Sequence, residues 1–155
     1  MTYLALLWVH ILSSTLLFGT GLGTAFHGWM AQRSGDVRVI VVVSGNVVLA
    51  DWLFTAPAVI VQPATGAWMA RIAGIPFTTG WLLLAMGLYV LVGACWLPVV
   101  WLQIQMYRLA SMALRSGKPL PARYYIYAQW WFALGWPAFI GVIGIFYLMV
   151  FKPAL

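Results

Sequence analysis

Charged side chains are scarce in this chain, making up 6% of its 155 residues. A water-soluble domain carries about a quarter charged residues, so this composition excludes one. The hydrophobic residues, 65% of the total, come in long blocks separated by short polar patches, which indicates that the bilayer is the solvent. Backbone groups in lipid must pair with one another, and runs of about twenty apolar residues without alternation favour helices over a barrel. The sequence therefore predicts one all-α integral membrane domain over residues 1–155.

The chain also has few cysteines and few basic residues, and these two shortages argue against cysteine-based sites and against nucleic-acid binding. Cys95 is the one cysteine, so the chain has no internal disulfide and no thiolate metal cluster. The formal net charge of +6 would suit nucleic acid, but the basic residues are few and lie in loops, so we expect no nucleic-acid partner. The first apolar block is too long for a signal-peptide core and lacks a basic leader and a cleavage site, so we expect a retained span.

The apolar blocks predict a four-transmembrane-helix bundle in contact with the lipid bilayer. Its spans cover about residues 3–29, 39–61, 81–107 and 124–151. The stretch between spans two and three, QPATGAWMARIAGIPFTTG, contains prolines, glycines and an arginine. We expect it to stay out of the membrane core, with a short interfacial helix over about residues 64–72.

The third span and the prolines add detail to the bundle. The helical pattern of span three persists to about Ser116, which is too long for the hydrocarbon core and predicts a cytoplasmic helical extension over about residues 108–116. Pro57, Pro98 and Pro137 are expected to kink three of the four spans. Such kinks would open room between the helices for a bound group.

Basic residues predict the orientation. Six of the eight lie in or beside the turns after spans one and three, at Arg33, Arg38, Arg108, Arg115, Lys118 and Arg123. Arg71 and Lys152 lie on the other side. Because lysine and arginine concentrate in cytoplasmic loops, we expect a bacterial cytoplasmic (inner) membrane protein with both termini on the outer side.

Titratable residues inside the apolar spans are the candidate functional residues. His10 lies roughly 10 Å from the outer end of span one, where an imidazole serves as a metal ligand, a proton carrier or a link between helices. Asp51 lies near the middle of span two, where a carboxylate costs about 2.5–3.5 kcal/mol and must be neutral, paired or hydrated. We expect a hydrogen bond between them that fixes the histidine tautomer; the alternatives are a proton path and a protonated acid bonded to a carbonyl.

Small residues next to His10 favour a flat ligand. At helical spacing, the histidine shares one face with Ser14, Leu17, Gly21 and Thr24. Since histidine is a proximal ligand of haem iron and glycine leaves room for a macrocycle, we predict haem b, with His10 as the metal ligand and Ser14, Gly21 and Asp51 around it.

A second glycine pattern and a second histidine lie on the same helix. Thr15, Gly19 and Gly23 form a ridge typical of close helix packing, which predicts contact with another helix and a possible homodimer. His27 lies about 25 Å along the helix from His10, so one chain does not grip one haem with both. The second axial ligand stays open.

Longer motifs resemble known families. The stretches NVVLADWLFTAPAVIVQPATG, GACWLPVVWLQIQM and WWFALGWPAF resemble an uncharacterised family of predicted bacterial integral membrane proteins, over nearly the whole chain. This resemblance implies a four-span inner-membrane protein. The stretch HILSSTLLFGTG looks like the first helix of HemJ-type protoporphyrinogen oxidases and of CopD-like membrane proteins. In the HemJ type, this helix contributes a histidine essential for b-type haem, which corresponds to His10.

These observations lead to one main functional hypothesis and two alternatives. The chain is expected to be a b-type haem protein that passes electrons to or from a quinone, a redox partner protein or a haem precursor. The HemJ resemblance does not extend to the oxidase activity, because this chain reads GLGTAFH where that type has a Pro-Arg pair. The alternatives are a non-catalytic membrane subunit or small proton-coupled transporter without haem, and an assembly factor held by the Gly19/Gly23 ridge.

Overall fold

The computed structural model describes residues 1–154, which fold into long helices joined by short turns. The elements are α1 (Thr2–Ser34), α2 (Val37–Ala50), a π-helical turn (Asp51–Thr55), α3 (Ala56–Ile72), α4 (Gly80–Ser116) and α5 (Ala122–Phe151). Helix α2, the π-helical turn and α3 follow one another without a break and form one rod of 36 residues, Val37–Ile72. Four helices in the described residues are therefore long and apolar enough to cross a membrane, which confirms the predicted fold class.

Glycine and aspartate define the tight turn between the first two helices. Gly35 adopts the left-handed conformation, with φ at 68°, and ends α1. The Asp36 side chain then accepts a hydrogen bond of 2.8 Å from the backbone N–H of Arg38 and caps α2. Gly117 ends α4 in the same left-handed conformation. We call the end of the bundle that carries these turns the basic end, and the opposite end, where α1 begins and α5 ends, the terminal end.

The segment predicted as a separate interfacial helix is part of the second long helix. Residues 64–72 are helical, but they continue from the second span through Pro63, and α3 ends only at Ile72. A proline removes one backbone donor, and a helix in lipid tolerates this loss where neighbouring side chains and backbone groups compensate. Thr65 and Ala70 are buried, so packing against α1 holds this stretch in place.

The π-helical turn interrupts that rod directly before Pro57. The backbone N–H of Ala56 bonds to the carbonyl of Asp51, five residues back, so this turn holds one residue more than an α-helical turn. Since Pro57 has no N–H, the carbonyl four residues before it loses its helical partner, and the wider turn lies where that bond is missing. As a result, Asp51 and Thr55 both point into the protein and are buried. The predicted proline positions in the other spans, Pro98 and Pro137, lie inside continuous helices.

Most of the apolar core lies in the half of the bundle next to the basic end. There α4 packs along α5 and against α2, and α1 packs against α2. The core cluster consists of Ala31, Ile40, Val99, Leu102, Met106, Ala110, Tyr124, Ala128 and Trp131. This half therefore holds all four long helices together.

Towards the terminal end, the helices form two pairs, α1 with α3 and α4 with α5. The Phe18 ring stacks on Phe139 at 5.2 Å between ring centroids and packs against Phe146, which joins α1 to α5. The Tyr89 hydroxyl donates a hydrogen bond of 2.5 Å to the carbonyl of Val59, which joins α4 to α3. These aromatic side chains bridge the two pairs.

Glycine permits the close packing of α4 on α5, and this can be tested. A Cβ at Gly141 would lie 2.6 Å from Val92 Cγ2, so Gly141→Ala forces the helices or the valine to shift. We expect a loss of about 1–3 kcal/mol of stability, measured as a lower Tm in detergent. The matched control is Gly135→Ala on the same helix, where no described residue lies within 4 Å of the added Cβ. Equal Tm values for the two variants would contradict this packing.

Candidate functional site

His10 lies between α1 and α3, and both of its ring nitrogens are hydrogen-bonded there. Its Nδ1 is 2.8 Å from the hydroxyl oxygen of Thr65, and its Nε2 is 3.1 Å from the amide nitrogen of Gln62. The Ser13 hydroxyl also contacts the Gln62 amide oxygen. These four side chains form what we call the His10 cluster. It joins α1 to α3 in the half of the bundle next to the terminal end.

The direction of these hydrogen bonds defines the histidine tautomer. The Thr65 hydroxyl has one proton and donates it to the carbonyl of Val61, at 2.7 Å, so it accepts from Nδ1–H of His10. The Gln62 amide nitrogen is a donor, so Nε2 of His10 carries no proton and accepts from it. With these donors and acceptors assigned, the imidazole is neutral, its proton lies on Nδ1, and the lone pair of Nε2 accepts from Gln62. A lone pair on one nitrogen and an anchored N–H on the other are what a metal-ligating histidine requires.

The spacing of residues on each helix explains why the cluster forms. Ser13 follows His10 by three residues, so both face the same neighbour. Gln62, Thr65 and Gly66 are likewise three and four residues apart on α3. A Cβ on Gly66 would lie 3.2 Å from Cε1 of the histidine ring, so the glycine leaves the space that the imidazole occupies. The sequence pattern Q-x-x-T-G carried this information, but it lies in the segment that was predicted to be outside the membrane.

Asp51 lies elsewhere, on the π-helical turn. Its side chain is 5% exposed, and Oδ1 accepts a hydrogen bond of 2.9 Å from the Thr55 hydroxyl. Gln103 on α4 lies against the same carboxyl group. The other oxygen, Oδ2, has no hydrogen-bond partner among residues 1–154. Asp51 therefore contacts α4 and its own turn.

The structure does not bring His10 and Asp51 together, and the hydrogen bond predicted between them is replaced by the bonds to Gln62 and Thr65. Asp51 precedes Gln62 by eleven residues, which is about 16 Å along a helix axis. The sequence predicted that the second span ends near Val61, which placed Asp51 close to its middle. The helix continues to Ile72, so Asp51 lies farther from the terminal end than predicted. The aspartate is consequently deeper in the bundle than the histidine.

The other residues of α1 that the sequence singled out form no hydrogen bond to a neighbouring helix among the described residues. Ser14 donates its hydroxyl to the carbonyl of Ile11 on its own helix, at 2.8 Å. Gly21 lies on the same face as His10, and the described part of the chain places nothing within 4 Å of a Cβ there. His27 is exposed. Gly19 and Gly23 are also exposed and lie on the opposite face, so their ridge packs against no helix of the described chain.

His10 is thus a single potential metal ligand. Residues 1–154 contain no group of three or more histidine, cysteine, aspartate or glutamate side chains that could hold a metal ion. A bare ion would need more ligands from the protein than one imidazole. A metal that brings its own equatorial ligands, as haem iron does, needs only an axial one.

Comparison with known proteins agrees with the helical architecture. A family model described as a predicted integral membrane protein (DUF2269) matches residues 4–153, which include the His10 cluster and Asp51. Neither the curated proteins nor the solved structures include a match to this chain. Together with the four apolar helices, the family match confirms the predicted resemblance and a multi-pass integral membrane protein.

The tautomer of His10 gives a direct test of the cluster. In a chain with His27→Ala, which leaves one histidine, we expect the ¹⁵N NMR spectrum at neutral pH to show a protonated Nδ1 and an unprotonated Nε2. Thr65→Val removes the acceptor of Nδ1–H and should raise the fraction of the Nε2–H tautomer several-fold. Ser14→Ala, which alters a hydroxyl bonded only to its own helix, serves as the control. A protonated Nε2 in the His27→Ala chain would contradict the assignment.

Proposed function

The chain belongs to the DUF2269 family of predicted integral membrane proteins. From the surroundings of His10, we propose that it is a b-type haem protein with an electron-transfer role. His10 is the proposed axial ligand, through Nε2. The observation that supports the proposal is the hydrogen bond of 2.8 Å between Nδ1 and Thr65, which anchors the ring while Nε2 contacts only the Gln62 amide. Bound haem would supply one-electron chemistry at this site.

The residues around His10 fit an axial ligand. The Thr65 hydroxyl holds the ring orientation and the tautomer, and a hydrogen bond from Nδ1–H makes Nε2 more basic. Gln62 covers Nε2, so it would give up that hydrogen bond and keep its bond to Ser13. The Ser14 hydroxyl turns back onto its own helix, so the next turn of α1 presents only a small side chain beside the ring. Asp51 is about 16 Å away along the helix and is not part of this proposed site.

One chain supplies one histidine at this depth, so a second protein ligand, if the haem has one, would be a methionine, another side chain or a histidine of a second chain. The homodimer through Gly19 and Gly23, and a quinone or redox partner protein, stay predictions. We also propose that the basic end lies in the cytoplasm of a bacterial cell, because lysine and arginine concentrate in cytoplasmic loops. The His10 cluster then lies towards the outer side of the inner membrane.

Absorption spectra of the purified protein test the proposal. After expression with added haem precursor, the wild type should show a Soret band that sharpens and shifts on reduction. His10→Ala should lose most of this band because it removes the axial ligand, and Thr65→Val should lower the haem content several-fold. The control is His27→Ala, which changes an exposed histidine on the same helix and should keep the wild-type spectrum.

Two outcomes would overturn the haem proposal: a colourless wild type after haem supplementation, or a Soret band that survives His10→Ala. A colourless protein would favour the second candidate, a non-catalytic subunit or a small proton-coupled transporter. The buried carboxyl of Asp51, with one oxygen unpaired among the described residues, favours that candidate independently of haem.

A further inference from the structure

A second polar site lies in the half of the bundle next to the basic end, separate from the His10 cluster. It is a cavity of about 20 Å³ between α1, α2, α4 and α5. The residues that line it are Gly28, Gln32, Ser44, Val47, Gln103, Met106 and Trp131. A cavity of this size has room for one water molecule, provided that polar partners are present.

Two buried side chains supply such partners. Gln103 and Trp131 are each 7% exposed, and both line the cavity. The amide oxygen of Gln103 and the indole nitrogen of Trp131 have no hydrogen-bond partner within residues 1–154. One is an acceptor and the other is a donor, and buried polar groups of this kind are costly when they stay unpaired.

This pair of groups selects the chemical class of the ligand. The indole N–H would repel a cation, and the amide oxygen would repel an anion. A water molecule accepts from Trp131 and donates to Gln103 at the same time, so it satisfies both. Water is therefore the ligand that matches this cavity.

Gln103 also connects the cavity to Asp51. Its side chain lies against the carboxyl group, whose Oδ2 is unpaired among the described residues. Val47, which lines the cavity, precedes Asp51 by four residues and so lies on the same face of the second long helix. When Asp51 gains a proton, Oδ2 becomes a donor, and the unpaired oxygen of Gln103 is an acceptor on the side chain next to it.

The cavity and its polar lining residues lie between Asp51 and the basic end of the bundle. Helix α1 ends and α2 starts at the basic end. Gln32 lies about 3 Å from the end of α1, whereas Ser44 and Asp51 lie about 10 Å and 20 Å from the start of α2. In the other direction, Thr55 is followed by Ala58, which is buried, and the next polar side chain on this helix is Gln62. On the terminal side, the Tyr89 hydroxyl is bonded to the Val59 carbonyl, whereas the cavity and its two unpaired side-chain atoms lie on the basic side of Asp51.

We propose that this cavity is an internal water site through which Asp51 exchanges protons with the aqueous phase at the basic end. A hydronium ion of the aqueous phase would give up its proton to the cavity water, which would pass a proton past Gln103 to the Asp51 carboxylate to form the carboxylic acid; no redox partner is needed. Both side chains that contact the carboxyl, Thr55 and Gln103, are uncharged. On its own rod, the nearest titratable residues are Arg38 and Arg71, about 20 Å and 30 Å away along the axis. On α4, Tyr107 lies four residues from Gln103, about 6 Å along that helix, and on α1, His27 precedes the cavity-lining Gly28.

Infrared spectroscopy can follow this proton because the chain contains only two acidic side chains, Asp36 and Asp51. The carbonyl stretch of a buried carboxylic acid should disappear in Asp51→Asn and remain in Asp36→Asn. Transfer of the intact protein into D₂O should shift this band as the carboxyl proton exchanges.

A variant that fills the cavity tests the route. Gly28 lines the cavity, and its Cβ would contact Trp131 at an ordinary 3.5 Å, so Gly28→Val places its methyl groups in or beside the water site. We expect exchange of the Asp51 band to slow at least tenfold. Gly23→Val is the matched control, because that glycine is exposed on the same helix, and exchange should keep the wild-type rate. Trp131→Phe removes the indole donor without filling the cavity and should also slow exchange, which keeps the test valid if Gly28→Val does not fold.

Vesicles test the sidedness. Each of the two lysines marks one end, Lys118 the basic end and Lys152 the terminal end, so a membrane-impermeant amine reagent reports which end faces outwards. The Asp51 band should follow the pH on the basic side alone. Three results would overturn the proposal. The first is an equal exchange rate in Gly28→Val, Trp131→Phe and the wild type. The others are an Asp51 band that follows the pH on the terminal side and the absence of a pH-dependent Asp51 band.

Discussion

Lipid hydrocarbon offers no hydrogen-bond partner, and this constraint explains the surroundings of His10 and Asp51, the ionisable side chains inside the bundle that contact polar groups of neighbouring residues. His10 satisfies both ring nitrogens with Gln62 and Thr65 and thereby joins α1 to α3. Asp51 uses Thr55 on its own turn and lies against Gln103 on α4. Polar contacts thus connect helices at two depths, and the tyrosine bond between α4 and α3 adds a third connection.

The two polar sites differ in the chemistry that their surroundings permit. At His10, two neutral partners, Gln62 and Thr65, occupy both ring nitrogens and hold the ring between α1 and α3. At Asp51, one carboxyl oxygen and two atoms beside the cavity are unpaired among the residues described, an arrangement suited to a group that gains and loses a proton. The separation of about 16 Å between Asp51 and Gln62 along one helix means that the sites can act without direct contact.

Sequence reasoning identified His10 and Asp51 because ionisable residues are rare in apolar spans. It named Gln62 as an amide that could line a polar interior or link helices, but it did not predict the contact of Gln62 with His10 or the roles of Thr65 and Gly66, because the neighbouring prolines and glycines indicated a loop. Proline and glycine weaken a helix in water, because the exposed backbone groups can bond to solvent instead. Residues 62–72 stay helical in the structure, where they pack on α1. The second long helix is therefore longer than predicted, and Asp51 lies deeper in the bundle than His10.

The sequence by itself determined the number of long helices, because runs of apolar residues have the length that a bilayer requires. It also determined the tight turn at Gly35 and Asp36 and the end of α4 near Ser116. Only the tertiary structure decided which side chains meet, since a helix that is apolar all round has no stripe to indicate its inner face. The rotation and axial offset of neighbouring helices placed His10 beside Gln62, and Gln103 beside Asp51, and these depend on packing between distant parts of the chain.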